Sequence, residues 1–359
     1  MKIEEAYDQL AAGLQDICSE AKDLEVITVE EKVYHIKFFL GGDLKFLALA
    51  CGIDAANSEY ACVWCKCPKE MRSNMKQIWS VNNPNKGART IDEITEKSKL
   101  GKRNKLRFNC SHVPIFPFIP IERVVIDSLH MFLRISDNLT NLLIRDLKIQ
   151  DALNKTADTT NLKIYETFLN EGCKIHFKWN MDRESKELKY RDLTGPEKVR
   201  LFKNINIPSL FPTLSNKEKL QSLWVTFFKL INTINEEHCN PDEIDVKTKD
   251  WVNLFTSVYQ SIDITPYMHV FAMHTSEFIR LHGNIIHFTQ QGLEKLNDLT
   301  TKNFQRSTNH RNLSSLRQIL EKRNRIELLE DNGYERKINR QVCSSCKLPG
   351  HNKKTCKNA

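Results

Sequence analysis

No apolar run in this chain approaches the eighteen or so residues that a membrane-spanning helix needs, and no signal peptide is recognisable. The expectation is a protein with no membrane partner. Glycine and proline are scarce, 12 and 11 among 359 residues, which together with 27% charged residues argues for a helical protein. There is no internal repeat and no long low-complexity linker. The 11 cysteines are odd in number and their spacings form no disulfide framework, so a reducing compartment, cytosol or nucleus, is expected. What the chain does have is length for two or more domains and a mild net charge of +8, which permits a nucleic-acid partner without demanding one.

The stretch from Val33 to Cys65 organises the rest. Val33–Leu40 is rich in β-branched and aromatic residues and is closed by Gly41-Gly42, so it reads as a strand. Asp43 follows at once, a carboxylate at a strand end beside a tight turn; capping of the next element is the plain reading of it. Farther on, Cys62-x-x-Cys65 is a thiolate pair at metal-ligand spacing.

Upstream, residues 2–24 read as an amphipathic helix with Ala6, Leu10, Leu14 and Ile17 on one stripe, and Glu25–Glu30 as a strand. After Cys65 the chain is basic and polar through Lys105, a loop holding one helix at Ile91–Lys97. Either a solvated loop or one facing nucleic acid fits. Pro114, Pro117 and Pro120 hold an extended segment that cannot be helical before Ile121. Ile121–Leu147 reads as one long helix carrying Asp127, His130 and Arg134, with Asp127 and His130 on one face. From Lys163 to Phe255 the pattern is helical, broken at Gly195-Pro196 and Asn206–Pro212, with Trp224, Phe227, Phe228 and Leu230 as core. Cys173, His176, His238 and Cys239 lack paired spacing and read as structural. Thr265-Pro266 starts a helix, and inside it His269 and His274 have a spacing that zinc sites use. Neither this pair nor Cys62/Cys65 closes a zinc site alone; together they make a Cys2His2 set. Glu294, in a helical stretch expected over Phe278–Phe304, follows His274 by 20 residues, as Asp43 precedes Cys62 by 19. A zinc joining the pairs would draw both carboxylates into one region.

The tail carries Cys343-x2-Cys346-x4-His351-x4-Cys356, a zinc-knuckle spacing, crowded by Lys347, Lys353, Lys354 and Lys357 as a phosphate-binding knuckle requires. So short a segment cannot bury a core and is expected to fold on its metal. Before it, Lys302–Arg325, which includes Arg306, His310 and Arg311, is basic. It reads equally as a backbone-contacting or a solvated helix.

The residues GGD and YACVWC, then PFIPIERVVIDSLH, ITPYMHVFAMH and QGLEKLND, resemble in order and spacing the catalytic core of the RAG recombinase catalytic subunit and of the Transib transposases. The resemblance runs from about Val33 to His310. It implies an RNase H-like fold interrupted by a zinc-binding helical insertion, an Asp-Asp-Glu triad with two Mg²⁺ ions, and DNA cleavage with strand transfer. By position Asp43 and Glu294 would be the second and third acids and hold Mg²⁺. Cys62, Cys65, His269 and His274 would hold zinc, and His130, in a D-x-L-H element, would lie near the active site. The first acid of the family precedes the second on an earlier strand. Here the residues before Asp43 offer only Asp8, Asp16 and Asp23, on or at the end of a helix.

The fold expected is therefore α-rich α/β: a partial RNase H-like core over residues 1–60, a mostly helical zinc-binding insertion over 61–275, a helical segment with the catalytic Glu over 276–328, and a zinc knuckle over 338–357. The function expected is a nuclear RAG/Transib-like DDE transposase or recombinase, acting on transposon ends or target DNA, as a possible homodimer or with a second recombinase subunit. With its first acid absent the chain is expected to be inactive, with no third acid on a strand adjacent to Asp43 completing the set. A non-enzymatic zinc- and DNA-binding remnant of a domesticated transposon is the alternative.

Overall fold

The computed structural model describes residues 6–154, 160–182, 188–308 and 312–334. They fall into two compact units, Met1–Gln290 and Gln291–Ala359. The first is helix-rich, and among the described residues its strands form three two-stranded sheets.

Helix α1 (Tyr7–Asp23) forms where amphipathic periodicity placed it, yet none of its residues is buried. Polar and aromatic contacts hold it instead. Tyr7 stacks on His112 at 4.0 Å and donates to Val113 O at 2.7 Å, and Cys18 donates to Ile115 O. These partners flank Pro114, so the proline-rich segment and α1 cover each other.

The strand expected over Val33–Leu40 is two pieces. Strands β1 (Val26–Val29) and β2 (Lys32–His35) make an antiparallel hairpin, exposed along its whole length and turned at Glu30 and Glu31 in left-handed backbone (φ 49 and 65). Beyond His35 the chain leaves the hairpin. Strand β3 (Leu40–Gly41) pairs in parallel with β4 (Val124–Val125), Leu40 opposite Val124 and Gly41 opposite Val125. β-Propensity reports extended backbone but says nothing of a change of partner midway. Gly42 is required by close approach: a Cβ there would meet the Phe46 ring at 2.4 Å.

Helix α2 (Leu44–Ala50) follows, then an irregular loop and α3 (Ile91–Ser98), where Thr90 accepts from Glu93 N as the expected helix requires. The long helix expected from Ile121 begins later. One 3-10 turn (Ile121–Arg123) leads into β4, and α4 (Ser128–Leu153) starts where the Asp127 carboxylate accepts from Leu129 N and His130 N. Val124 and Val125 are β-branched and fully buried, so pairing with β3 displaces a helical first turn.

Helix α5 (Asn161–Thr167) continues as a π turn over Phe168–Gly172, and β5 (Asn180–Met181) pairs with β6 (Leu188–Lys189). The Gly195-Pro196 and Asn206 signals turn out to be helix starts, opening α6 (Gly195–Asn204) and α7 (Ile207–Leu210). Then come α8 (Lys217–Ile234), α9 (Pro241–Thr256), α10 (Pro266–Met273) and α11 (Thr275–His282). Their apolar faces meet in an aromatic core: Phe227 lies 5.5 Å from Trp251 and 5.7 Å from Phe271, and Phe202 stacks on Trp224 at 4.7 Å. Trp224, Phe227 and Leu230 are buried as expected, while Phe228 is half-buried and stacks on Phe202.

One surface fork yields a pH signature. Arg191 donates to both oxygens of Glu197 at 2.7 and 2.8 Å, and Glu197 also accepts from Thr194 N at 2.9 Å at the start of α6. The Arg191 bond holds the Glu197 carboxyl down to about 2. A carboxyl depressed in the folded state adds stability above its ordinary value of 4.5 and loses it as pH falls toward 2. The wild type is therefore expected to lose more melting temperature across that window than Glu197→Gln. Parallel Tm–pH curves would refute the assignment.

The single helix expected over Phe278–Phe304 is interrupted. Gly283 ends α11 in left-handed backbone (φ 78), as a glycine C-cap does, and a 3-10 turn (Ile286–Phe288) precedes the second unit. That unit consists of α12 (Gln291–Ser307) and α13 (Asn312–Asp331) among the described residues. Its basic residues are partly neutralised at helical spacing: Lys302 pairs with Asp298, Arg317 with Glu321 and Arg323 with Glu327. Among the described residues no helix is long and apolar enough to cross a membrane.

Candidate metal centre

Cys62 and Cys65 lie in the loop after α2, on either side of Trp64. The indole Nε1 of Trp64 donates to Val124 O of β4 at 2.6 Å, and its ring meets Phe278 edge-on at 5.4 Å. Thr265 caps α10 by accepting from Met268 N, which sets His269 inside the helix and His274 at its C-terminal cap. The two pairs converge. Cys62 Sγ is 3.4 Å from His274 Nε2, Cys65 Sγ is 3.2 Å from His269 Nε2, and all four ligand atoms lie within 4.8 Å of one another. None of the four residues is more than 3% exposed. A tetrahedral zinc with Zn–S about 2.3 Å and Zn–N about 2.0–2.1 Å has sulfur–nitrogen edges of about 3.5 Å, so the donor set fits.

The electrostatics without a cation are in conflict. Burial opposes charge on Cys62, but the bond from Cys65 and the neighbouring histidines outweigh it and pull the thiol well below its ordinary value. Burial and the charge of Cys62 push Cys65 well above it. Burial also opposes charge on His274, yet Cys62 lifts it to about 9, while burial lowers His269. Two thiolates cannot share this dry pocket unless a cation stands between them.

Two residues that sequence reasoning missed build the surroundings. Arg89, 1% exposed, donates through Nε to Cys62 O and Cys65 O at 3.0 and 3.1 Å, and through Nη2 to Tyr60 O and Phe108 O at 2.9 and 3.0 Å. It thus clamps the CxxC turn to the loop ahead of Cys110. Nothing local in the sequence marks it among so many basic residues. Glu277 lies 3.9 Å from His274 Nδ1 and accepts from Ser80 Oγ and from Val81 N at 2.8 Å. Its position three residues after His274, in the first turn of α11, was the available signal.

Asp43 is half-buried at the end of β3 and caps α2, its Oδ1 accepting from Phe46 N at 2.8 Å. Tyr267 OH accepts from Leu44 N at 3.0 Å, and burial, with Asp43 adding to it, pushes this phenol up to about 12. Beside β3, the adjacent strand β4 leads two residues on into Asp127, the N-cap of α4. Its oxygens are committed. Oδ1 accepts from Leu129 N and Gln290 N, and Oδ2 accepts from His130 N and bonds His130 Nδ1. The Asp127–His130 pair expected on one helix face is a cap-and-imidazole lock at the helix start.

Glu294 lies in the first turn of α12, in the second unit. Lys302 and Arg306 are on the same helix. His310, Arg311 and the knuckle residues Cys343, Cys346, His351 and Cys356, with Lys347, Lys353 and Lys354, lie outside the described residues. Cys173, His176, His238 and Cys239 join no metal-ligand group among the described residues; Cys173 is buried, which raises its thiol to about 11. The structure thus defines a helix-rich protein with a buried Cys2His2 centre. No protein-family model and no curated protein matches the chain.

Proposed function

We propose that the chain is a nuclear, DNA-binding protein of the RAG-like and Transib DDE recombinase class, with a partial RNase H-like core stapled by zinc. The observation that carries this reading is the meeting of Cys62 and Cys65 with His269 and His274, more than 200 residues apart, at the positions the resemblance assigns to its zinc ligands. Asp43 at the end of β3 supports it too. A second zinc would sit in the Cys343, Cys346, His351, Cys356 tail. In the class, Mg²⁺ supplies charge stabilisation to the attacking and leaving oxygens of phosphoryl transfer; Asp43 and Glu294 are the acids of this chain that match the class's Mg²⁺-holding positions. His130 would stand beside that site, fixed by Asp127. Transposon ends or target DNA are the ligands proposed, with a second copy or a second recombinase subunit as partner.

For this chain DNA binding is expected without cleavage. Two-metal chemistry needs several carboxylate oxygens that are uncommitted, because Mg²⁺ demands a near-octahedral oxygen shell. One oxygen of Asp43 is taken by Phe46 N, and both oxygens of Asp127 are taken by backbone and imidazole donors. This commitment favours the second reading, a zinc- and DNA-binding protein without enzymatic activity. A nicking assay in Mg²⁺ or Mn²⁺, run beside a binding titration on the same duplexes, separates the two. Salt-sensitive binding with intact strands is expected. Cleavage abolished by Asp43→Ala and Glu294→Ala would establish the enzyme instead. For the tail, Cys346→Ser is expected to remove one bound zinc from the full chain and weaken DNA binding; unchanged zinc content and affinity would sink the knuckle.

A further inference from the structure

From Lys97 to Ile121 the chain contains no acidic residue, while Lys97, Lys99, Lys102, Arg103, Lys105 and Arg107 fall within eleven positions. The structure separates these six by role. Lys97 lies over the Phe108 ring and reaches Glu93, Lys99 pairs with Glu96, and Arg107 is buried with its Nε on Cys110 O. Lys102, Arg103 and Lys105 are exposed and make no ion pair among the described residues. They occupy a turn that is firmly seated. Asn104 accepts from Leu106 N, and Phe108 and Asn109 are held in left-handed backbone (φ 49 and 61). Phe108 O receives Arg89, while the Asn109 side chain bonds Asp54 and Tyr60 N. The same guanidinium that clamps Cys62 O and Cys65 O therefore anchors the base of this loop.

We infer that the loop Lys99–Lys105 is a phosphate-backbone contact surface of the protein, with Lys102, Arg103 and Lys105 as its contacting groups and the metal centre as its foundation. The inference rests on the proposed DNA binding and specifies where it occurs. A solvated loop has no need of strained, doubly anchored backbone beneath three unpaired cations. A surface that must present charge to a polyanion does, because fixing the loop beforehand removes an ordering cost on binding. Such contacts carry no sequence information; they set register and affinity and release counterions.

The test is the salt dependence of binding to a duplex of arbitrary sequence, using the full chain with zinc. The triple variant Lys102→Gln, Arg103→Gln, Lys105→Gln is compared with Lys178→Gln, Lys203→Gln, Lys219→Gln, which removes equal charge from exposed lysines elsewhere in the first unit. Loss of three phosphate contacts lowers the slope of log K against log salt by about 2.7, so the affinity gap from wild type shrinks by about 40-fold between about 50 and about 200 mM salt. That result is expected for the loop variant alone. An unchanged slope, or an equal loss in the control, overturns the surface while leaving DNA binding in place. A wild type that ignores DNA at low salt, or prefers phosphatidylserine vesicles to it, overturns DNA binding and the surface together.

Discussion

Stripping the metal with a chelator, or replacing Cys65 by Ser, is expected to cost the first unit its cooperative fold. Cys62, Cys65, His269 and His274 are fully buried and join a loop to a helix more than 200 residues later in the chain. Structural zinc contributes an apparent 10–16 kcal/mol in small zinc domains, about as much as the whole stability of a typical protein, about 5–15 kcal/mol. Without it, two thiols and two imidazoles remain in a dry pocket with opposed demands for charge. Both Nδ1 atoms of the histidines are already without a hydrogen-bond partner. A Tm about 8 °C lower is expected even if only about 5 kcal/mol is lost. Cys65→Ser should also bind one zinc fewer per chain, by metal analysis. A chelated protein melting within about 2 °C of the untreated one would refute a structural role for the centre.

Arg89→Met is expected to be nearly as damaging, although Arg89 touches no ligand atom of the centre. Methionine roughly matches the stem but not the guanidinium. Removing that group leaves the carbonyls of Tyr60, Cys62, Cys65 and Phe108 without these bonds in the interior. A buried acceptor left unsatisfied costs about 1–3 kcal/mol, so a loss of at least about 3 kcal/mol follows. Arg89→Lys should recover little, since one ammonium cannot span the fork that reaches four carbonyls. Denaturant unfolding of both variants with zinc in excess checks this. Should Arg89→Lys be as stable as wild type, the clamp is dispensable. Zinc affinity in a competition assay should fall alongside, because the CxxC turn loses the group that fixes its two carbonyls.

The metal centre was legible in the sequence for a definite reason. Each half is a short-range pair, Cys62-x-x-Cys65 and His269-x4-His274, and ligand geometry constrains such pairs locally. The helix start at Thr265 was legible on the same ground, because its hydroxyl acts on the amide three residues ahead. The failures share another cause. Val33–Leu40 was extended as composition demanded, but where it changes partner depends on Val124 and Val125, some 85 residues later. The helix expected from Ile121 was delayed by that same pairing.

By itself, then, the amino-acid sequence determined the helical character, the caps, the aromatic core of α8 and the four candidate zinc ligands, because each follows from residue type at a spacing of a few positions. Only the tertiary structure decided that those two pairs meet and that Arg89 clamps the Cys62–Cys65 turn. It alone decided that Asp127 has no oxygen to spare, one being taken by the amide of Gln290, 163 residues away. Hydrogen bonds and ion contacts act over about 3 Å in space whatever the distance along the chain, so their partners are fixed by folding and not by spacing.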